Sequence, residues 1–530
     1  MSAAPPLLLI TSAAYVNAEI AAEFGHLPPC FLPFGHARLY AAQLAGLPAD
    51  GARRVLTLPA SFTPSDWDRR WLEEKSVELL PVPDDLSLGE SVLYALTLCD
   101  ARGALRILHG DTLFLEPPGT AADSIGVATT SDAYAWGAVS RGAGRAFNRR
   151  LVAEEQGEQV LTGWFSLADA PGFVRALTRA RGDFLAALDL YAAEHPLQLQ
   201  EMRGWLDFGH LQTFYRARSQ VSTTRAFNAL TVSGHTVLKT GDKADKLAAE
   251  AAWFEALPPP LRLHTPPFLG REGEGYRIGY EFSPTLHELF VFGRLEPAAW
   301  RPIMAGCFDF LAACARFRPA PPLATAPDAL RALALDKTQA RLEAWARSGG
   351  PDLDEPWRYD GRPLPSLRRI AEETARVAAA SDPLPGVMHG DFCFPNTFFD
   401  FRQRLVKVID PRGGLREGEH TVQGDLRYDL AKLKHSVEGY DLILAGRHRL
   451  ERHGARDVAL HLPRDGAAGF LPGIAAEFTL QGQRISDPGI TALTIHLFLS
   501  MLPLHADRPD RQRAFLANAL RLYAQMEARQ

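Results

Sequence analysis

Cysteine is scarce in this 530-residue chain. Its five copies, Cys30, Cys99, Cys307, Cys314 and Cys393, are odd in number and lack paired metal spacing. A disulfide framework or zinc ribbon is therefore not expected, and a reduced, cytoplasmic setting is. Neither sign of charge is in excess: 57 Lys and Arg against 62 Asp and Glu leave a formal net charge of −5. Such a balance gives no reason to expect a nucleic-acid or anionic-membrane partner. No apolar run approaches the ~20 residues that span a bilayer, so membrane insertion is not expected. No basic stretch precedes Leu7-Leu8-Leu9-Ile10. That run reads as a buried first strand rather than as the core of a signal peptide. Fixed-period repeats are absent as well.

What is present is the make-up of a folded globular protein, 46% hydrophobic and 22% charged, long enough for two or three domains. The first ~220 residues alternate strand-length apolar runs (Leu7–Ile10, Arg54–Leu58, Leu105–Leu108) with helical stretches such as Tyr40–Leu47 and Ser91–Cys99. This rhythm predicts α/β architecture around a mostly parallel sheet. After Arg218 the rhythm changes, and a boundary is expected within 218–226. Asn228–Val232 and Thr236–Lys239 flank Ser233-Gly234-His235, a hairpin signal. A helix follows over Asp245–Ala256, then a strand running to Tyr276–Phe282, and from Pro297 onward mostly helical segments. The Pro- and Ala-rich stretch 319–327 reads as a loop.

The most informative segment is His389-Gly390-Asp391-Phe392-Cys393-Phe394-Pro395-Asn396, followed by Val406-Lys407-Val408-Ile409-Asp410. It places a carboxylate, an amide five residues later, and a second carboxylate at the end of an apolar strand. Phosphoryl transfer from ATP needs this set: one Asp to orient the hydroxyl and take its proton, and an Asn and an Asp to hold magnesium against the phosphates. Asp391 is the candidate catalytic residue, and Asn396 and Asp410 are the candidate metal ligands. Lys239 ends a β-branched strand where a phosphate-binding lysine is needed. Glu250, 11 residues later on the next helix, is placed to pair with it, with Glu255 a rival. Glu281-Phe282 marks the candidate start of a connection between two lobes, where an adenine ring would bond to backbone groups. Asp429 opens a helix in Tyr428-Asp429-Leu430-Ala431. His389 reads as a structural hydrogen-bonder, Cys393 as packing, and Arg412 as facing either the cleft or the surface. Trp300, Trp345 and Trp357 are read as packing residues or as an aromatic cage.

These positions resemble the aminoglycoside phosphotransferase and choline kinase family, whose catalytic loop is written His-Gly-Asp-x-x-x-x-Asn, with a later Ile-Asp and Tyr-Asp-Leu-Ala. The resemblance covers 223–530. It implies a two-lobed protein-kinase-like α+β domain (N-lobe about 223–285, C-lobe about 286–530) with ATP in the cleft and a small-molecule hydroxyl as acceptor. Lys239, Glu250 and Glu281 would be its cofactor-binding residues. One departure is the lack of a Gly-rich loop around Phe227–Val237.

In the first half, Leu108-His109-Gly110-Asp111 puts a carboxylate just after a strand, where ligands bind in open α/β sheets. Gly204-Trp205-Leu206-Asp207-Phe208-Gly209 supplies a second one. Asp111 and Asp207 are candidate magnesium ligands; a helix cap and a surface turn are the plainer alternatives. The pair resembles the sugar-phosphate nucleotidyltransferases, as do Phe31-Leu32-Pro33-Phe34-Gly35 and Leu88-Gly89-Glu90-Ser91. The resemblance runs over 1–222 and implies a Rossmann-like α/β/α domain. The family's basic Gly-rich loop is missing: Thr11–Asn17 and Pro28-Pro29-Cys30 stand there, and Arg38 is the first basic side chain other than histidine.

The combined expectation is a bifunctional enzyme. Its kinase half would phosphorylate a sugar, polyol or amino alcohol with ATP and Mg2+. Its nucleotidyltransferase half would join that phosphate to CTP or UTP, a step of surface-polysaccharide or head-group synthesis. Two alternatives stay open: a kinase with a non-catalytic sugar-nucleotide-binding domain, and a glycosyltransferase–kinase fusion.

Overall fold

Leu7-Leu8-Leu9-Ile10 is apolar at every position because the strand it forms, Leu7–Thr11, is buried on both faces. Strands covered on both sides read as continuous apolar runs. This strand pairs in parallel with Arg53–Pro59 on one side and Leu105–His109 on the other, and Arg53–Pro59 pairs in parallel with Val77–Val82. Leu7, Leu9, Val55, Leu105 and Ile107 share one core with Val92, Phe173 and Phe184 of the helices Leu88–Leu98, Ala170–Arg179 and Phe184–Ala192. In the computed structural model, residues 5–48, 50–139, 146–151, 158–220, 229–318, 330–415 and 418–529 are described. The chain divides into two units, Met1–Gln220 and Val221–Gln530. The loop read over 319–327, Phe227 and Asn228 of the first hairpin strand, and 221–226 of the boundary interval lie outside the described residues.

The sheet of the first unit is rich in parallel pairs and carries an antiparallel part as well. Val160–Leu167 runs antiparallel to Leu105–His109, to Ser124–Ala128 and to Ala135–Val139. Parallel neighbours need a crossover of about a dozen residues, usually a helix. No helix occurs among the described residues between 105 and 167, so these strands return antiparallel. Leu7–Thr11 pairs with Arg53–Pro59 on one side and Leu105–His109 on the other, so the strand order reverses there, and open sheets bind ligands in the crevice outside the carboxyl ends of such strands. The helix after the third strand starts at Leu88, not Ser91, because Ser87 and Glu90 form a capping box. A Cβ on Gly89 would lie 2.2 Å from the Gly182 carbonyl oxygen. Gly89 and Glu90 thus serve packing and capping within the fold.

In the second unit, Ala229–Ser233, Thr236–Thr240, Gly275–Gly279 and Phe268–Glu272 form an antiparallel sheet in that order. The helix Ala244–Ala256 packs on it through Glu250, which meets Lys239 and Tyr276, and Phe254, which meets Phe268 and Tyr276. The strand expected to reach Phe282 ends at Gly279. Beyond it the unit is largely helical, centred on Pro488–Met501, whose residues from Gly489 to Ser500 are all buried. By length and composition the longer stretch Pro488–His505 passes for a membrane span, but most of it is buried inside this unit. The helical reading overlooks a four-stranded sheet, Arg362–Ser366, Pro356–Tyr359, Asp457–His461 and Arg449–Arg452. Its strands are short and carry prolines and arginines, so they lack a clean apolar alternation.

Candidate active sites

In the second unit, Lys239 and Glu250 are both buried, and the Lys239 ammonium lies 2.6 Å from the Glu250 carboxylate. The same ammonium lies 2.9 Å from Asp410. Tyr276 donates its hydroxyl to Glu250 at 2.8 Å, which fixes the acceptor side of the pair. Burial opposes charge on Lys239, and Asp410 and Glu250 outweigh it, so its pKa is raised. The rival Glu255 is elsewhere, paired with Arg271 on the surface at 2.9 Å. Asp410 adopts a left-handed φ of 57°, a conformation that costs a non-glycine residue roughly 1–3 kcal/mol and often marks functional sites.

Asp391 and Asn396 meet directly: the Asn396 amide donates to the Asp391 carboxylate at 2.9 Å and to its carbonyl at 3.1 Å. Two devices hold this loop. Asp429 accepts backbone N–H bonds from His389 and Gly390, each at 2.8 Å. His389 accepts from the Asp391 N–H at 3.2 Å through Nδ1, and its Nε2 lies 3.0 Å from the Ile409 carbonyl. Burial pushes the His389 pKa down to about 4, so the ring is neutral and its Nε2–H donates. Gly390 has φ +77°, and a Cβ there would meet the Arg412 Cβ at 2.6 Å. Asp429 is not the first residue of its helix, which runs Leu426–His435 with Asp425 as its cap. Burial lifts its pKa to about 7 against the pull of the two N–H bonds.

Sequence reading missed Lys432. Its ammonium lies 2.8 Å from Asp391, whose side chain keeps 40% of its surface exposed. Burial favours a protonated Asp391, but the Lys432 charge and hydrogen bond, with His389, hold its pKa well below the usual carboxylate range. A signal for Lys432 exists: it follows Asp429 by three residues, and an i,i+3 pair shares one helix face.

Glu281 is committed within the protein, accepting from Lys407 at 2.9 Å and from the Ser283 hydroxyl at 2.6 Å. What this position can offer a cofactor is therefore its backbone. Trp300 is buried against Phe290 and Phe394, and Trp357 lies beneath the Arg456 guanidinium. Neither is free to cage a quaternary amine. Asn396 and Asp410 are brought together by the backbone, since the Ile409 N–H bonds the Asn396 carbonyl at 3.0 Å. An amide oxygen and a carboxylate suit magnesium, which is commonly held by one or two protein ligands plus phosphate oxygens and water. Among the described residues no group of three or more His, Cys, Asp or Glu converges.

In the first unit, Asp111 and Asp207 are brought together at the crevice. The strand Trp205–Asp207 pairs with Thr112–Phe114, and the Phe208 N–H bonds the Asp111 carbonyl at 2.8 Å. A Cβ on Gly209 would lie 2.8 Å from Asp111 Oδ2 and 3.2 Å from Asp207 Oδ1. The two carboxylates thus flank one small space. The other Asp207 oxygen is taken by Thr213 and by His210 at 3.1 Å. Burial, then the Asp207 charge, raise the Asp111 pKa to about 7. The hydrogen bond to Asp207 raises that of His210 against burial. The loop after the first strand is tied in by Asn17, whose amide donates to the Gly209 carbonyl at 2.9 Å. Arg38 does not reach this space: it is buried, bonded to the Phe31 carbonyl at 2.7 Å and paired with Asp68 at 3.3 Å. Two hard oxygen donors flanking one space, with the Asp111 pKa raised, fit a divalent cation.

No family model matches the sequence, and no curated protein matches it. Similar solved structures align with the N-terminal region. One is assigned as a glucose-1-phosphate thymidylyltransferase from Bacillus anthracis in complex with a sucrose. It is 13% identical, with 42% of this chain and 98% of that chain covered and a TM-score of 0.34. A second is a nucleoside-diphosphate-sugar pyrophosphorylase from Vibrio cholerae RC9, 12% identical over 40% of this chain and 99% of that chain, TM-score 0.32. A third is the inositol-1-phosphate CTP transferase from T. maritima, 15% identical over 42% of this chain and 97% of that chain, TM-score 0.30.

Proposed function

We propose that Val221–Gln530 is an ATP-dependent phosphotransferase acting on the hydroxyl of a small molecule. Met1–Gln220 is then a magnesium-dependent nucleotidyltransferase that joins the resulting phosphate to CTP or UTP with release of pyrophosphate. The observation that carries the kinase reading is Lys239 between Glu250 and Asp410, beside the Asp391–Asn396 pair. A lysine fixed by a helix glutamate, a metal carboxylate and a catalytic aspartate are the parts that phosphoryl transfer requires. Asp391, kept ionised by Lys432, accepts a hydrogen bond from the acceptor hydroxyl and takes its proton as the new O–P bond forms and the bond to ADP breaks. Lys239 neutralises phosphate charge. Magnesium, held by Asn396 and Asp410, would shield the phosphates from the incoming oxygen.

The nucleotidyltransferase reading is supported by Asp111 and Asp207 flanking one space at the carboxyl ends of parallel strands. One observation favours a second reading, a domain that binds a nucleotide or sugar nucleotide without turnover. Arg38, the first arginine in the chain, is locked into a buried pair, so charge to stabilise departing pyrophosphate is missing there. The test uses the full chain with ATP, Mg2+ and a panel of small alcohols, followed for ADP. In parallel, CTP or UTP with phosphorylated alcohols is followed for pyrophosphate. ADP release lost in Asp391→Asn, with pyrophosphate release lost only in Asp111→Asn and Asp207→Asn, supports two enzymes in one chain. ADP without pyrophosphate favours the binding-domain reading, and free nucleoside diphosphate in the second assay would mark glycosyl transfer. No ATP consumption with any alcohol and no ATP binding sinks the kinase.

A further inference from the structure

Three more basic side chains lie near the Asp391–Lys432 pair. Lys337 and Arg341 are four residues apart on the helix Lys337–Arg347, so they share a face. That face is pinned to the buried helix Pro488–Met501: the Thr338 hydroxyl donates to the His496 carbonyl at 3.2 Å and Arg341 to the Ser500 carbonyl at 2.9 Å. The same buried helix holds the Lys432 helix through Thr494, which donates to the Ala431 carbonyl at 3.4 Å. Arg412 enters from the loop after Asp410, with its backbone N–H on the His389 carbonyl at 2.8 Å and its side chain over Gly390. Three separate segments thus bring Lys337, Arg341, Arg412 and Lys432 to one place.

The charges there do not balance. Asp391 is matched by Lys432, and Asp429 turns both oxygens to backbone N–H groups. Among the described residues Lys337, Arg341 and Arg412 have no carboxylate partner. Burial, then Arg412, Arg341 and Lys432, push the Lys337 pKa down to about 6. At that value Lys337 is mostly uncharged near pH 7, and an anion bound beside it would restore its charge while offsetting the partly buried Arg341 and Arg412.

Resting on the kinase reading of this site, we infer that the acceptor is itself an anion: an alcohol that carries a phosphate or carboxylate held by Lys337, Arg341 and Arg412. The hydroxyl then faces Asp391 while the acidic group anchors the other end. A cationic acceptor such as an amino alcohol without an acid group is repelled.

The experiment titrates inorganic phosphate by calorimetry into the full chain saturated with magnesium AMP-PNP, so that the donor's own triphosphate is in place. Phosphate should bind, and Lys337→Gln and Arg341→Gln should each weaken it about tenfold or more. Lys337→Arg should keep it, and AMP-PNP affinity should hold in all three. ADP release is then compared across glycerol 3-phosphate, glycerate, glycerol and ethanolamine. The first two should lead, and their ratio tells phosphate from carboxylate. Three results overturn the proposal: no phosphate binding with AMP-PNP in place, variants that weaken AMP-PNP instead, or turnover led by glycerol or ethanolamine. If AMP-PNP does not bind the parent protein, the kinase reading falls and this one with it.

Discussion

The two carboxylate sites of this chain solve the same electrostatic problem in opposite ways. In the second unit Glu250 and Asp410 share Lys239, and Asp391 has Lys432. In the first unit Asp111 and Asp207 face each other, and His210 is the basic side chain paired with them among the described residues. In the first arrangement the Lys432 charge and hydrogen bond hold Asp391 ionised. The second holds a proton near neutrality until a cation replaces it. A site built from ion pairs is organised before its ligand arrives, and one built from two like charges is organised by the ligand.

The largest expected effect cuts the paired site at its centre. Asp391→Asn should lower the rate of ADP release by roughly 10²–10⁴-fold while pyrophosphate chemistry at the other unit is unchanged, which separate kinetic assays check. Next, Glu250→Gln removes one partner of a buried ion pair, for which losses of about 3–5 kcal/mol are typical. Denaturant unfolding of the second unit should show a drop near the low end, since Asp410 still faces Lys239.

The unpaired site should respond to pH instead. Below its pKa of about 7, Asp111 is protonated, and a divalent cation must displace that proton. Affinity for Mn2+ should therefore rise about tenfold per pH unit up to 7 and level off above it. The sign for stability is the reverse. A folded pKa above the unfolded one gives stability that is full below the unfolded pKa and lost as pH rises through about 7. Asp207→Asn should reduce that loss, read as melting temperature against pH without metal. The smallest effect sharpens the contrast between two glutamates on one helix. Glu255→Gln breaks only a surface pair with Arg271 and should cost less than about 1 kcal/mol, with ADP release intact.

Much of the paired site is legible because it lies in short runs. His389-Gly390-Asp391 and Asn396 share one loop, and Asp410 ends the strand that pairs back onto it. The hidden part comes from far away in sequence: Lys337 and Arg341 carry no motif, and only the packing of their helix on Pro488–Met501 brings them beside Asp391. The missed sheet had a local sign, the Asp360-Gly361 turn, with φ of 50° and 75°. Such Asp-Gly turns favour hairpins, but the flanking strands are too polar to announce themselves. The antiparallel half of the first sheet left its mark only as missing helices between 105 and 167.

The sequence by itself determined the apolar strands Leu7–Thr11, Arg53–Pro59 and Leu105–His109 and where the reactive carboxylates sit along the chain. Both follow from side-chain polarity and spacing over a few residues. Tertiary structure alone decided which charge neutralises which. It separated Glu250 from Glu255, gave Asp391 its lysine, locked Arg38 onto Asp68, and left Asp111 and Asp207 to face each other. Coulomb energy depends on distance through the fold and on exclusion of water, and neither is written in the order of the residues.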